Sequence, residues 1–400
     1  MREDGYNMAN IQATLRPARK TLDRGVIITL FIIAAIYAGV FILEQVIPAT
    51  SMLFTVLKKG ATYALVAVSM NLLNGFTGLF SLGQAGFMLI GAYTYGIFTI
   101  PVAQRAAVYQ YYDGGLVQFA MPVIPALILA GCFAAFFAFL IGLPVLRLKS
   151  DYLAIATLGF AEIIRSIFQW DKLGAITNGS NMLRLFPTFN DFNIKNAQGE
   201  VVVYLSTLVP FIIAGVCIGL IVALIHSSYG RAFMSIRDDE VAAESMGINL
   251  SRHKQYAFCV SSFFAGIGGA MLAMYSNSVQ AKSFTSAMTY EILLIVVIGG
   301  IGSVTGSCLS SFLFVACSEW WLRFLDQKQM IGDWEVPLLR NGFRLVVFSI
   351  IIMIVVLFFR QGIMGTRELP DLFRRKHKRT AGGPPAADAK GPATGEEAVQ

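Results

Sequence analysis

The 45 residues from Gly60 to Gln104 contain no charged side chain, and that stretch constrains the fold more than any other part of the chain. A helix needs roughly 17 to 25 apolar residues to cross ~30 Å of hydrocarbon, so 45 is too many for one crossing. The stretch is interrupted by NGFTGLFSLGQAG at 74–86, and glycine at that density predicts two membrane helices joined by a glycine-rich bend. Further uncharged runs, Gly25 to Leu43, Pro122 to Leu146, Val201 to Ile225 and Gln255 to Ala281, each have the length of one crossing. Charged residues are 14% of the chain, against about 25% in soluble domains, so most of it must face lipid or other helices rather than water. The expected fold class is all-α, a polytopic transmembrane helical protein.

Charge bias sets the topology. Arg16, Arg19, Lys20 and Arg24 precede the first run, and Arg374, Arg375, Lys376, Lys378 and Arg379 follow the last; both clusters belong on the cytoplasmic side, so the number of crossings is even. The first run has no small-residue cleavage site behind it and reads as a retained anchor. A second glycine interruption, IGGIGSVTG, divides Ile292 to Ser318 into two short helices, with the slightly acidic loop 319–340 outside. Adding 152–170 and 345–359 gives about ten spans, two pairs of them being glycine-rich broken-helix hairpins. Lys58 and Lys59 then fall near the outer surface. Three regions follow: a cytoplasmic segment 1–24, a transmembrane domain 25–366 containing a cytoplasmic loop at 226–254, and a tail 367–400, basic and then disordered in composition. LLNGFTGLFSLGQAGF and IVVIGGIGSVTGSCL form an internal echo of the kind found where transporters break helices around a central site, although glycine is also common in membrane helices generally.

Several polar residues interrupt this apolar background. Glu162 and Arg165 are three apart on a helix, hence on one face and able to pair; they either line a route for a polar solute or form an orienting ion pair. Glu291 opens the run EILLIVVIGG and either joins that route or marks the membrane boundary. Asn71, Asn74, Ser81 and Gln84 surround the first bend, where they can contact a zwitterion or satisfy backbone groups freed by the bend. The five cysteines have no metal-ligand spacing and read as packing residues, with no metal site. His226, His253 and His377 all lie outside the runs and beside no nucleophile, so no catalytic residues are assigned. The chain has no G-x-x-x-x-G-K-[ST] and therefore no phosphate loop of its own; it binds no cofactor, and work driven by ATP requires a second polypeptide. Nothing in the basic clusters points to nucleic acid.

The segment 231–254, RAFMSIRDDEVAAESMGINLSRHK, is the densest in charge between the runs. Asp238, Asp239 and Glu240 supply the negative charge that a helix N-terminus favours, and Gly247 supplies a stop. A short surface helix built to meet a partner is expected there.

Four blocks, YALVAVSMNLLNGFTGLFSLGQAGFMLIGAY (63–93), LRLKSDYLAIATLGFAEIIRS (146–166), GRAFMSIRDDEVAAESMGIN (230–249) and EILLIVVIGGIGSVTG (291–306), resemble the permeases of branched-chain amino acid ABC importers of the LivM type. The resemblance implies a multi-pass subunit of the bacterial inner membrane, working by alternating access. Its implied partners are a homologous second permease, two cytoplasmic ATPase subunits that hold ATP and Mg, and an extracytoplasmic substrate-binding protein. It also implies that 231–254 carries the coupling helix. Of the E-A-A-x-x-x-G pattern common there, Ala242, Ala243 and Gly247 match, while Val241 stands at the Glu position and Glu240 one residue earlier; Arg237, Asp238 and Asp239 flank the match. The competing readings are a secondary transporter of a small polar solute, which needs buried carboxylates that are scarce here, and a urea- or amide-importing permease of the same family, which as a rule lacks the string AAESMGIN.

Overall fold

The computed structural model describes residues 24–48, 51–148, 150–196, 198 and 200–322, with short stretches at 330–331, 334–335, 346–350, 353–354, 362–365 and 368. The expected N-terminal segment, the basic cluster and tail, and most of the expected last crossing at 345–359 lie outside the described residues. Eleven helices carry the architecture that concerns us: α1 Arg24–Val46, α2 Met52–Asn71, α3 Gln84–Thr99, α4 Val123–Val145, α5 Ser150–Phe168, α6 Leu208–Ile225, α7 Ser228–Asp238, α8 Glu240–Ser245, α9 Leu250–Ser276, α10 Ser286–Gly299 and α11 Val304–Val315. The chain is a polytopic helical membrane protein.

Against the expected ten crossings, four helical stretches among the described residues are long and apolar enough to span: Met52–Phe76, Val123–Val145, Leu208–Ile225 and Leu250–Ser276. The number rises to six if two bent pairs count as one span each, namely Gln84–Thr99 with Val102–Val108, turned by 100°, and Tyr152–Phe168 with Asp171–Thr177, turned by 62°. Phe31–Val46 and Ser286–Gly299 are shorter apolar helices.

Helix α9 is the centre of the bundle and packs against α4 and α3, then α2. In lipid the hydrophobic effect does not drive helices together, so close backbone approach and interhelical hydrogen bonds must do so. Ala126, Ala130, Ala134 and Ala138 recur every fourth residue on α4, all buried. A Cβ on Gly266 of α9 would stand 2.6 Å from the Ala134 Cβ and 2.8 Å from the Ala130 carbonyl oxygen. Only glycine permits that spacing. Buried serines supply the hydrogen bonds: Ser261 Oγ donates to the Ser69 carbonyl at 2.6 Å and Ser310 Oγ to the Ile295 carbonyl at 2.7 Å.

Two boundaries differ from the sequence expectation. The run Val201 to Ile225 is not one helix: Val201–Val203 is a strand paired antiparallel with Ile194–Lys195, and α6 begins only at Leu208. Three β-branched valines favour extended backbone, and α6 is started by a carboxylate distant in sequence. Glu44 of α1, 4% exposed, accepts from Thr207 N (2.6 Å), Leu208 N (3.2 Å) and Ser206 Oγ (2.9 Å). Nor does α9 begin at the first uncharged residue, Gln255. It starts at Leu250, where Asn249 Oδ1 accepts from Arg252 N at 3.0 Å, and so carries Arg252, His253 and Lys254 in its first turns.

Both glycine interruptions divide their runs as expected. Helix α2 starts ahead of the uncharged stretch, runs through Lys58 and Lys59, and passes into a π turn at Leu72–Phe76 before the chain opens out and α3 starts at Gln84. The second interruption separates α10 from α11 at 300–303.

Candidate functional site

The two breaks meet. Asn71, fully buried at the end of α2, accepts from Gly302 N at 2.8 Å through Oδ1. Its Nδ2 donates to the Ser303 carbonyl (2.9 Å) and to Ser307 Oγ (2.8 Å). One amide side chain thus satisfies backbone groups that the second break has withdrawn from helical pairing, which is what irregular backbone inside a bilayer requires. The pairing works because Gly75 has no side chain: a Cβ there would collide with Asn71 Oδ1 and stand 2.6 Å from Gly302 N. The C-terminal stretch closes the other side of the second break. Glu368 accepts from Val304 N (2.6 Å), Thr305 N (3.1 Å) and Thr305 Oγ1 (2.8 Å) at the start of α11, and Ile363 N donates to the Ile298 carbonyl at 2.8 Å.

The remaining polar residues of the first break turn inward as well. Asn74 and Ser81 brace the bend, Asn74 Oδ1 accepting from Ser81 N at 3.2 Å, and Gln84 Nε2 donates to Ser69 Oγ at 2.8 Å. Of the two sequence readings for Asn71, Asn74, Ser81 and Gln84, these bonds are of the backbone-satisfying kind for the first three, and for Gln84 of side chain to side chain.

Glu162 and Arg165 do pair, with Arg165 Nη2 2.6 Å and Nε 2.7 Å from Glu162 Oε2. The other carboxylate oxygen accepts from Ser286 Oγ at 2.7 Å, joining α5 to the start of α10. Beside them lies an open groove of about 510 Å³ lined by Glu162, Ile163, Ser166, Ile167 and Trp170. Glu291 sits on an exposed side of α10. The start of α3 connects these residues to the first break: Leu82 N donates to Thr157 Oγ1 of α5 at 3.0 Å and Ala85 N to Thr289 Oγ1 of α10 at 3.2 Å, and a Cβ on Gly86 would stand 2.9 Å from Ala161 Cα, next to Glu162.

The charged segment 231–254 runs through most of α7, all of α8 and the start of α9 rather than forming one helix, and the acidic cluster is divided between the first two. Asp238 ends α7. Asp239 has extended backbone and caps α8, its Oδ1 accepting from Val241 N (2.8 Å) and Ala242 N (3.0 Å). Gly247 closes α8 with φ +84, and Ile248 N reaches back to the Ala243 carbonyl at 3.1 Å, a Schellman-type end that glycine makes possible. Lys254 of α9 holds Glu240 at 2.7 Å. So pinned, α8 buries Ala243 and leaves Ala242 exposed, with Val241 at 74% and Met246 at 83%. Large apolar side chains displayed this fully on a rigid helix suit contact with another protein. Arg237 points the other way: its Nη1 donates to the Gly75 carbonyl at 3.2 Å.

Sequence reasoning missed Glu44, Glu368 and the inward aim of Arg237. All three act across more than 60 residues of chain, and only Glu44, a lone charge beside an apolar run, could have been marked by its isolation. Among the described residues no group of His, Cys, Asp and Glu is placed to hold a metal ion, and the cysteines are unpaired.

A family model described as "Branched-chain amino acid transport system / permease component" matches residues 52–359. The high-affinity branched-chain amino acid transport system permease protein LivM of Escherichia coli K12 is 34% identical over 277 residues, 64% of this chain and 60% of that protein; the match thus spans less than two thirds of the relative's length. The probable LivM of Methanocaldococcus jannaschii is 23% identical over 276 residues, 63% of this chain and 76% of that protein. The LivH permease of Escherichia coli K12 is 21% identical over 287 residues, 68% of this chain and 85% of that protein. No solved structure matches. The family match covers both breaks, the Glu162–Arg165 pair and the whole of α7 and α8, and the chain belongs to the family of branched-chain amino acid transport permease components.

Proposed function

We propose that the chain is the membrane-spanning permease subunit of an ATP-driven importer of branched-chain or related amino acids. The observation that carries this reading is α8, a capped helix between α7 and α9 that displays Val241, Ala242 and Met246 outward. In this reading α8 is the coupling helix. Two ATPase subunits holding ATP and Mg receive it, and the chain itself binds no nucleotide and catalyses no reaction. A homologous second permease completes the membrane path, and an extracytoplasmic binding protein delivers the solute. The family's two permeases, LivM and LivH, both resemble this chain, in keeping with a paired arrangement. The chain lies in the bacterial inner membrane with both termini in the cytoplasm and about ten crossings. Nucleotide-driven closure of the ATPases moves α8, and the rigid helices carry that motion to the solute route by alternating access. Asn71, Asn74, Ser81 and Gln84 shape that route at the breaks, while Glu162, Arg165 and Glu291 offer charge along it.

The test is uptake of labelled leucine, isoleucine, valine and urea by vesicles containing the complete transporter. Val241→Glu with Met246→Glu, which leaves the Asp239 cap intact, should reduce uptake at least tenfold with the chain still inserted. Gly247→Trp has open space around it but a strained backbone, and should do the same. Undiminished uptake and ATPase stimulation in both variants would remove α8 from the mechanism.

A further inference from the structure

We propose that Arg237 is a positioning residue that passes the movement of α8 to both glycine-rich breaks at once. The proposal rests on the coupling reading of α8 and adds the route by which its movement enters the membrane domain. Arg237 occupies the last turn of α7, two residues before the cap of α8. Its Nε and Nη2 donate to Asp238 Oδ1 at 3.0 and 2.8 Å, while Nη1 donates to the Gly75 carbonyl at 3.2 Å. The guanidinium is planar and rigid, so its two edges cannot move independently: displacing Asp238 turns the group about the Gly75 carbonyl.

The contacts beyond Gly75 lead to the second break. A Cβ on Gly302 would lie 3.7 Å from Arg237 Nη1 and 3.9 Å from the Gly75 carbonyl oxygen, and one on Gly78 would lie 3.0 Å from Arg237 Cγ. The side chain is therefore seated over both breaks, with its stem on the first and its head between the two. Gly302 N is in turn held by Asn71, which is anchored in α2. The π turn at Leu72–Phe76 departs from the α-helical register, a geometry that redirects carbonyls and recurs at functional sites. Among the described residues, no other side chain of 231–254 donates a hydrogen bond to either break. Phe233, one turn before Arg237 on the same side of α7, and Ile236 are both buried, and they hold the arginine in place while α8 moves.

Amide hydrogen exchange on the complete transporter in nanodiscs, nucleotide-free and trapped with ATP and vanadate, separates the possible outcomes. In the unaltered protein, trapping should slow exchange at 239–246 and change it at 75–82 and 300–303. Arg237→Met should keep the slowing at 239–246 and lose at least four fifths of the change at both breaks, and ATP consumed per amino acid imported should rise at least fivefold. Arg237→Lys keeps a donor that can reach the Gly75 carbonyl but cannot also hold Asp238, and should restore part of the response. Asn71→Ala should lose the response at 300–303 and keep it at 75–82. If the Arg237→Met breaks still respond fully, the positioning role is wrong while the coupling reading stands. If trapping leaves 239–246 unchanged in the unaltered protein, the coupling reading itself fails, and the role of Arg237 with it.

Discussion

Helix α2 is tied to its neighbours by unlike means at its two ends. Near its start, Lys59 Nζ sits 2.5 Å from Glu319 Oε1 and Lys58 Nζ donates to Ser206 Oγ at 2.7 Å, beside the buried carboxylate of Glu44. At its finish a neutral amide, Asn71, meets backbone groups of a glycine turn, and the charged groups near it, Arg237 and Glu368, bond to backbone on either side rather than to the amide. Long charged side chains hold their partners over a range of geometries, because four or more rotatable bonds can adjust. A short amide facing backbone through the space above a glycine has one geometry or none. The contrast assigns different tasks to the two ends: the first keeps helices together, and the second keeps two breaks in register.

Adding one methyl group at Gly75 should have the largest effect on stability. Gly75→Ala drives a Cβ into Asn71 Oδ1 and against Gly302 N, where backbone cannot yield as a flexible side chain would. Overpacking costs roughly 1 to 3 kcal/mol, and a buried N–H left without its acceptor adds about 1 to 3 kcal/mol. The thermal unfolding midpoint of the purified chain in detergent should fall by many degrees. A midpoint unchanged within error would mean that the breaks do not pack as tightly as Asn71 and Gly302 indicate, and the contrast between the ends would disappear.

Removing the carboxylate of Glu44 ranks next. It accepts from two backbone N–H groups at the start of α6 and from Ser206 Oγ, and hydrogen bonds to a charged group contribute about 1.5 to 3 kcal/mol. Glu44→Ala should therefore cost about 2 to 3 kcal/mol by denaturant unfolding in mixed micelles. Glu44→Gln keeps an acceptor and the shape, and should cost about half as much. Equal losses in the two variants would make charge the decisive quantity at this end of α2; no loss from either would show that water replaces the cap.

How much of this was legible in the sequence depended on distance along the chain. The bend at 74–86, the division at IGGIGSVTG, the i,i+3 pairing of Glu162 with Arg165 and the stop at Gly247 all follow from neighbours within a few residues, and each is present. The start of α6 was not legible, because the cap comes from Glu44, more than 160 residues earlier, and an uncharged run carries no mark of where its helix begins. Dividing Asp238 from Asp239 between two helices was also out of reach: either aspartate could cap, and the choice follows from Asp238 pairing with an Arg237 that is itself held by Gly75. Asn71 stood out as a polar residue at a break, yet its partners lie more than 220 residues away. For the coupling segment, the resemblance located the helix, and the local chemistry of Asp239 and Gly247 explained its ends. Which face it would show had no local signal, since Ala242 and Ala243 are the same residue with opposite exposure.

The smallest effect should come from the shortest contact of the comparison. Lys59 and Glu319 stand 2.5 Å apart, but their side chains keep 21% and 27% of their surface accessible. Partial access to water and the entropy of fixing two long side chains hold such a pair to about 0 to 1 kcal/mol. A face of Tyr63 lies 5.5 Å from Lys59 Nζ and gives the ammonium a second partner that survives loss of the first. A double-mutant cycle with Lys59→Met and Glu319→Gln should accordingly give a coupling energy below about 1 kcal/mol, decreasing as salt is raised from 0.05 to 1 M, a range over which the screening length falls from more than 10 Å to roughly 3 Å. A coupling above about 2 kcal/mol that ignored salt would mean that this end is as sealed and as exacting in geometry as the Asn71 clasp. Both ends of α2 would then set register, and the division of labour drawn from their chemistry would have to be given up.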